Sequence, residues 1–145
     1  MKKKSKAKIK AYAEQCLVFA EEVRQEYLNF EVDPKRTVSG LGYIIHEQGD
    51  GARPKQGQAV KVNYLGLLVS DGTLFDDSLF QGKHFRFRLG IGEVIAGWDE
   101  GIDLLRVGDE ATLFIPPKLG YGHSKKGNIP ANSELLFYVE VVGLG

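Results

Sequence analysis

The chain has 145 residues, of which 43% are hydrophobic and 26% charged, so it is long and apolar enough for one ordinary domain with an appendage. Lys and Arg number 19, as do Asp and Glu, and this zero formal charge argues against a nucleic-acid-binding surface across the domain, which would need a basic excess. The single cysteine, Cys16, excludes an internal disulfide, is expected only to pack, and fits a reducing compartment.

The start of the chain is strongly basic, with lysine at six of the first ten positions. A basic start can open a secretory signal, but Glu14, Glu21 and Glu22 interrupt the apolar stretch that such a signal needs. No apolar run approaches the length of a membrane-spanning helix. We therefore expect a cytoplasmic protein that contacts no membrane, with the lysines in solvent.

Residues 1–33 predict an amphipathic helix, because they contain no Gly or Pro and because Pro34 disfavours helical geometry at the residue before it. Apolar side chains recur there at steps of three and four, the period of one helix face: Ile9, Tyr12, Cys16, Phe19, Val23, Tyr27 and Phe30. The other side carries Glu14, Glu21, Glu22, Arg24 and Glu26. The apolar face must bury against something, either the chain's own domain or a partner bound by self-association or docking through residues 9–30.

After Pro34 the pattern changes to the alternation typical of strands, and glycine becomes frequent. Asp71-Gly72 predicts a hairpin turn, residues 96–105 a short helix, and residues 118–130 a Gly-rich loop. We expect strands at residues 41–45, 60–67, 84–89, 111–115 and 134–142. These elements predict an α+β fold, in which a curved antiparallel sheet packs on the short helix and the N-terminal helix precedes it.

The usual motifs of covalent and metal catalysis are absent from the sequence, including Gly-x-Ser-x-Gly, the P-loop and His-Glu-x-x-His. The histidines His46, His84 and His123 lie on separate elements without ligand spacing, and Gly90-Ile91-Gly92 lacks the rest of a dinucleotide fingerprint. We therefore predict no metal and no cofactor. The unusual feature is a set of aromatic residues on predicted inward faces or beside turns: Tyr64, Phe75, Phe85, Phe87, Trp98, Tyr121 and Phe137.

Four motifs surround these aromatic residues, and together they are more specific than any one of them. They are residues 62–66 (VNYLG), residues 71–78 (DGTLFDDS), residues 85–90 and 93–101 (FRFRLG and EVIAGWDEG), and residues 120–122 followed by 129–130 (GYG and IP). In order and spacing, they resemble the FKBP-type, macrolide-binding peptidyl-prolyl cis-trans isomerases. The resemblance covers residues 38–145, so we divide the chain into a helical extension, residues 1–33, and an isomerase domain, residues 34–145.

The resemblance implies a bent sheet around a short helix, with a proline-binding pocket between them, and isomerase activity on proline-containing peptides and unfolded proteins. It places Trp98 at the pocket floor, gives substrate-facing donors to the Tyr121 hydroxyl and the Ile95 N–H, and puts Asp76 at the rim for polar contacts. The apolar walls would be Tyr64, Phe75, Phe85, Val94, Ile95 and Phe137.

The resemblance also implies a substrate-binding rim that includes Phe87 and Ile129, with His123 either there or in solvent. Asn128 and Ala131 depart from the apolar residue and the second proline that many relatives carry near these positions. Macrolide inhibitors are a further expected ligand class, and we expect these departures to lower macrolide affinity more than catalysis. The alternative function is a binding or chaperone module with weak catalysis that uses the N-terminal helix; the complete aromatic set favours the enzyme.

Overall fold

The computed structural model describes residues 5–145. Within them the chain forms helices α1 (Lys6–Leu28) and α2 (Ala96–Ile102) and strands β1 (Lys35–Arg36), β2 (Gly42–Glu47), β3 (Ala59–Leu68), β4 (Leu74–Asp77), β5 (Phe85–Arg88), β6 (Glu110–Ile115) and β7 (Leu135–Leu144). A single 3-10 turn, Pro117–Leu119, follows β6 in this part of the chain. The predicted α+β fold is confirmed, and β1 and β4 are two short strands that the alternation pattern did not predict.

The strands form one antiparallel sheet in the order β1-β2-β6-β7-β3-β4, and β5 also pairs with β3. Strand β3 pairs with β7 along its length, with Tyr64 opposite Val139. Its other edge is shared, since Val62 lies opposite Phe85 on β5 and Gly66 lies opposite Asp76 on β4. This sharing brings residues from β3, β4 and β5 to the same corner of the sheet.

Each face of the sheet has its own hydrophobic core, and strand alternation assigns the side chains of β3 and β7 to one or the other. Tyr64 and Phe137 lie in the core shared with Trp98 of α2. Their neighbours Leu65 and Leu136 lie in the core shared with α1. Both central strands are therefore buried on both faces, which explains why they are rich in apolar residues.

Helix α1 packs against the sheet of its own domain through mostly small residues, namely Ala13, Cys16, Ala20 and Val23. The predicted stripe was partly wrong, because Tyr12 and Phe19 lie at the edge of the contact and are exposed to solvent. The apolar period pointed to the wrong residues because alanine contributes little to such a pattern. Its small side chain nevertheless lets a helix approach a sheet closely.

The predicted end of α1 was also wrong, because the helix stops at Leu28 and does not continue to Asp33. The Asn29 N–H donates to the Gln25 carbonyl at 3.0 Å, and Phe30 then adopts a left-handed φ of 58°. Phe30 is consequently 94% exposed and is not part of the buried face. The chain has already left the helix before Pro34 can terminate it.

Polar contacts fasten α1 to the sheet. Arg24, predicted on the solvent side, is buried: its Nη1 donates to the Val69 carbonyl at 2.8 Å, and its Nη2 lies 2.6 Å from Glu21 Oε1. Glu140 of β7 is also buried, and it accepts a hydrogen bond from the Tyr12 hydroxyl of α1. Within residues 5–145, neither helix is both long enough and apolar enough to cross a membrane.

Candidate active site

A cavity of about 400 Å³ lies between the shared edge of β3 and the start of α2. Strand β3 supplies Tyr64, β7 supplies Phe137, and the first turn of α2 supplies Trp98. The full lining is Tyr64, Asp76, Phe85, Glu93, Val94, Ile95, Trp98, Tyr121, Lys126 and Phe137. The fold thus brings together all the residues expected to form the pocket floor, walls and donors except Phe75.

The indole ring of Trp98 forms the centre of an aromatic cage and is only 4% exposed. The rings of Tyr64, Phe85 and Phe137 meet it edge to face, with centroids at 4.9, 5.8 and 5.3 Å and interplanar angles of 89°, 85° and 88°. Such edge-to-face pairs stabilise each other beyond simple burial. Phe87 packs on the same indole at 5.6 Å, so Trp98 is held on several sides.

Tyr64 joins the cage to the rim of the cavity. Its hydroxyl donates to Asp76 Oδ2 at 2.8 Å, while Asp76 Oδ1 accepts from the Asp77 N–H at 2.9 Å. Burial, followed by the hydrogen bond to the Asp76 carboxylate, raises the pKa of Tyr64 well above its ordinary value. Tyr64 therefore stays protonated and holds the Asp76 carboxylate in place.

The two donors expected to meet the substrate, the Tyr121 hydroxyl and the Ile95 N–H, make no hydrogen bond within residues 5–145. The buried indole N–H of Trp98 is also unpaired there. Burial, and to a smaller degree the charge of Asp76, raises the pKa of Tyr121. The hydroxyl thus remains a donor at neutral and moderately alkaline pH. Both donors are free to meet a carbonyl oxygen of a bound ligand.

The segment that carries Val94 and Ile95 is fixed by side-chain carboxylates. Asp99 of α2 accepts from the Gly90 and Gly92 N–H groups at 2.8 and 3.1 Å. Both glycines have left-handed φ angles, 82° and 80°, which residues with a Cβ rarely adopt. Glu93 Oε1 accepts from the Arg88 N–H at 2.8 Å. The turn before α2 is therefore tied both to the helix and to β5.

Phe75, expected in the apolar wall, packs on a wall residue and does not itself line the cavity. Its ring packs edge to face on Phe137, with centroids 5.5 Å apart. A Cβ at Gly66 would lie 2.8 Å from ring atoms of both Phe75 and Phe137. The close packing of these two rings over β3 therefore requires glycine at position 66.

Of the residues expected at the rim, Asp76 lines the cavity, whereas Phe87, Ile129 and His123 do not. Phe87 and Ile129 are buried in the core, and His123 is exposed, with Nδ1 2.7 Å from Asn132 Oδ1. Glu93 and Lys126 line the cavity in their place. Neither residue was expected there, because a charged residue in an exposed turn produces no periodic pattern in the sequence.

A larger cleft, of about 600 Å³, lies on the other side of β3, between the start of α1 and the segment after β4. Tyr12 is the one aromatic residue among those lining it. It has no aromatic cage, so volume alone does not locate the candidate site. The described residues also contain no cluster of three or more His, Cys, Asp or Glu side chains arranged to hold a metal ion.

Comparison with known proteins agrees with this geometry. The family model for FKBP-type peptidyl-prolyl cis-trans isomerases matches residues 50–142. The isomerase FkpA of Aeromonas hydrophila is 41% identical over 138 residues, 93% of this chain and 50% of that protein. FK506-binding protein 1 of Dictyostelium discoideum is 42% identical over 104 residues, 71% of this chain and 96% of that protein.

A solved structure also resembles this fold. The crystal structure of FkpA from Escherichia coli superposes with a TM-score of 0.74 at 38% identity, over 95% of this chain and 63% of that one. The chain spans about half the length of its Aeromonas relative. The matched segment includes the cage around Trp98 and the donors beside it. The chain belongs to the FKBP-type peptidyl-prolyl cis-trans isomerase family.

Proposed function

We propose that this chain catalyses cis/trans isomerisation of the peptide bond before proline, in peptides and in unfolded segments of proteins. The observation that carries the proposal is the aromatic cage around Trp98 in a cavity of about 400 Å³. The cage offers a proline ring apolar surface on several sides, with Trp98 as its floor. The other wall residues exclude water from the bond that rotates.

This site fits the physical demands of the reaction. Rotation about a peptide bond meets a barrier of about 18–20 kcal/mol because resonance keeps the amide planar. A twisted amide has lost that resonance and much of its dipole. An apolar cage therefore destabilises the planar, polar ground state more than the twisted state, and such differential binding accelerates the reaction. Each 1.36 kcal/mol of barrier removed gives about a tenfold gain in rate.

Two unengaged donors beside the cage hold the substrate while it twists. The Tyr121 hydroxyl and the Ile95 N–H each bind a substrate carbonyl, and the raised pKa of Tyr121 keeps its hydroxyl protonated. Asp76 acts as a rim acceptor that orients Tyr64. No proton transfer is assigned to Asp76, because rotation breaks no covalent bond.

The test is the cis-to-trans relaxation rate of a short X-Pro peptide with the parent protein and with Trp98→Leu. We expect the parent to accelerate relaxation and the variant to lose at least about tenfold in kcat/KM. Phe30→Leu is the matched control, because it makes the same replacement at an exposed aromatic residue. Circular dichroism verifies that each protein is folded. A parent protein without acceleration contradicts the proposal.

Macrolides are the second ligand class that we propose for the same cavity. The name of the Dictyostelium relative, FK506-binding protein 1, supports this proposal. Lys126 lines the mouth here and Asn128 lies close by on the same loop, so we expect weaker binding than an apolar mouth would give. Titration of isomerase activity with FK506 tests it: competitive inhibition supports a shared cavity, and full activity at saturating FK506 contradicts it.

Self-association or docking through residues 9–30 is a separate hypothesis for α1. The sheet-facing side of this helix is buried within the domain, while Val18 and Leu28 are exposed. Sedimentation velocity of the parent and of Val18→Glu tests it. A dimer that the substitution dissociates supports the hypothesis, and a parent that is monomeric up to high concentration contradicts self-association.

A further inference from the structure

We propose that Lys126 gives this isomerase a preference for prolines that have an acidic side chain within two residues. The inference rests on the proposed function and names a feature of the substrate that the site selects. It concerns the only ammonium group among the charged residues lining the cavity in the described chain.

Three charged residues line the mouth of the cavity, and the two carboxylates already have partners. Asp76 accepts from the Tyr64 hydroxyl at 2.8 Å. Glu93 accepts from the Arg88 N–H at 2.8 Å. Lys126 makes no salt bridge with any residue in the range 5–145. The Tyr64 hydroxyl and the Arg88 N–H are neutral, so they hold the two carboxylates in position without cancelling their charge. Lys126 is the one cation lining the cavity in the described chain, and it is therefore the only lining side chain that can form an ion pair with an acidic residue of a bound peptide.

The backbone of Lys126 is fixed even though its loop is exposed. The Lys126 N–H donates to the Ile129 carbonyl at 3.0 Å, and the Ile129 N–H donates back to the Lys126 carbonyl at 2.8 Å. Gly127 makes this tight turn possible, with a left-handed φ of 55°. Ile129 is buried in the core and anchors the far end of the turn. The lysine stem thus starts from a defined position at the mouth.

A bound peptide brings its flanking residues within reach of this ammonium. An extended chain advances about 3.3 Å per residue, so residues up to two positions from the proline lie about 7 Å or less along the chain from it. An acidic side chain in this range can pair with Lys126, whereas glutamine of the same shape cannot. A solvent-exposed ion pair of this kind corresponds to about a two- to fivefold effect.

The experiment compares peptides that contain Glu or Gln at each position within two residues of the proline. The proteins are the parent, Lys126→Gln and, as a matched control, Lys125→Gln, which neutralises an exposed lysine of the same loop that does not line the cavity. We expect a Glu/Gln ratio of kcat/KM of about two to five for at least one position in the parent and in Lys125→Gln, falling to about one in Lys126→Gln. Addition of 1 M salt should lower the parent ratio, because it screens exposed charges.

The outcomes separate the two proposals. If the parent turns over none of the peptides, the proposed function fails. If it turns over the Gln peptides and shows no Glu preference at any position, this inference is overturned. The same holds if the preference persists unchanged in Lys126→Gln. The charge reversal Lys126→Glu should raise the Lys/Gln ratio of kcat/KM above one, and a retained preference for Glu in that variant would overturn the inference.

Discussion

The two faces of the sheet are covered in different ways. On one face, the large rings of Tyr64, Trp98 and Phe137 surround a cavity that they do not fill. On the other face, small residues such as Ala13 and Ala20 bring α1 onto the sheet and leave these positions fully buried. Both faces are built from alternate residues of the same strands, so neighbouring positions on β3 and β7 have different tasks.

Polar groups show the same contrast. On the cavity face, the Tyr121 hydroxyl and the Ile95 N–H are unengaged within the described chain. On the α1 face, the buried Glu140 accepts from the hydroxyls of Tyr12 and Tyr138 and from the Asn63 amide. Free donors suit a site that must bind a ligand, whereas satisfied groups suit a permanent contact. The α1 face therefore stabilises the fold, and the cavity face carries the proposed activity.

The largest loss of stability is expected from Glu140→Ala, on the α1 face. Removal of this carboxylate takes away an acceptor of the Tyr12 hydroxyl, the Tyr138 hydroxyl and the Asn63 amide, although Tyr138 keeps Glu110 Oε1 at 2.9 Å. The loss of these hydrogen bonds to a buried charge should lower the free energy of unfolding by about 3 kcal/mol. Urea denaturation measures the loss, and isomerase activity of the folded variant should equal that of the parent. Glu22→Ala, an exposed position on α1, is the control, with an expected change below about 0.5 kcal/mol. Similar losses in the two variants would contradict the assigned role of Glu140.

A smaller loss of stability is expected from Ala20→Leu. Ala20 is fully buried between α1 and the sheet, and three added carbons would force the helix away from β3 and β7. Overpacking of this kind costs about 1–3 kcal/mol. Val18→Leu, on the exposed side of the same helix, should leave the unfolding midpoint unchanged. Tolerance of leucine at position 20 would mean that α1 is not closely packed on the sheet.

The smallest effect is expected from a change of pH on catalysis at the cavity face. Burial raises the pKa of both Tyr64 and Tyr121, so the neutral form of each is favoured and neither should lose its proton below pH 9. With a peptide that does not titrate, kcat/KM should be constant from pH 6 to 9. A loss of activity with an inflection below pH 9, absent from Tyr121→Phe, would show that Tyr121 ionises there and would contradict the assigned burial.

Sequence predicted the cavity face better than the α1 face. Tyr64 and Trp98 were recognisable because each stands in a specific motif, Tyr64 on an alternating strand and Trp98 at the start of the short helix. Ala13 and Ala20 were missed because the contact they make depends on small size, which an apolar period does not detect. Arg24 was placed in solvent because its partner, the Val69 carbonyl, is distant in the chain.

The mouth of the cavity was the least predictable part of the site. Ile129 was expected at the rim, yet its side chain lies in the core. Two backbone hydrogen bonds between Lys126 and Ile129 close a tight turn that leaves the lysine at the cavity. Which of these two residues reaches the cavity depends on the hydrogen bonds within one loop, and no periodic pattern in the sequence predicts them. Glu93 was missed for the same reason, since its position follows from the hydrogen bond to Arg88.

The most direct test of the difference between the faces removes one tyrosine hydroxyl from each. Tyr121→Phe should lower kcat/KM for a short X-Pro peptide by about tenfold, equivalent to about 1.4 kcal/mol, and change the free energy of unfolding by less than about 0.5 kcal/mol. Tyr138→Phe, which removes the hydroxyl 2.7 Å from Glu140, should lower the free energy of unfolding by about 2 kcal/mol and leave kcat/KM unchanged. Loss of activity in Tyr138→Phe with full activity in Tyr121→Phe would contradict the assignment of catalysis to the cavity face.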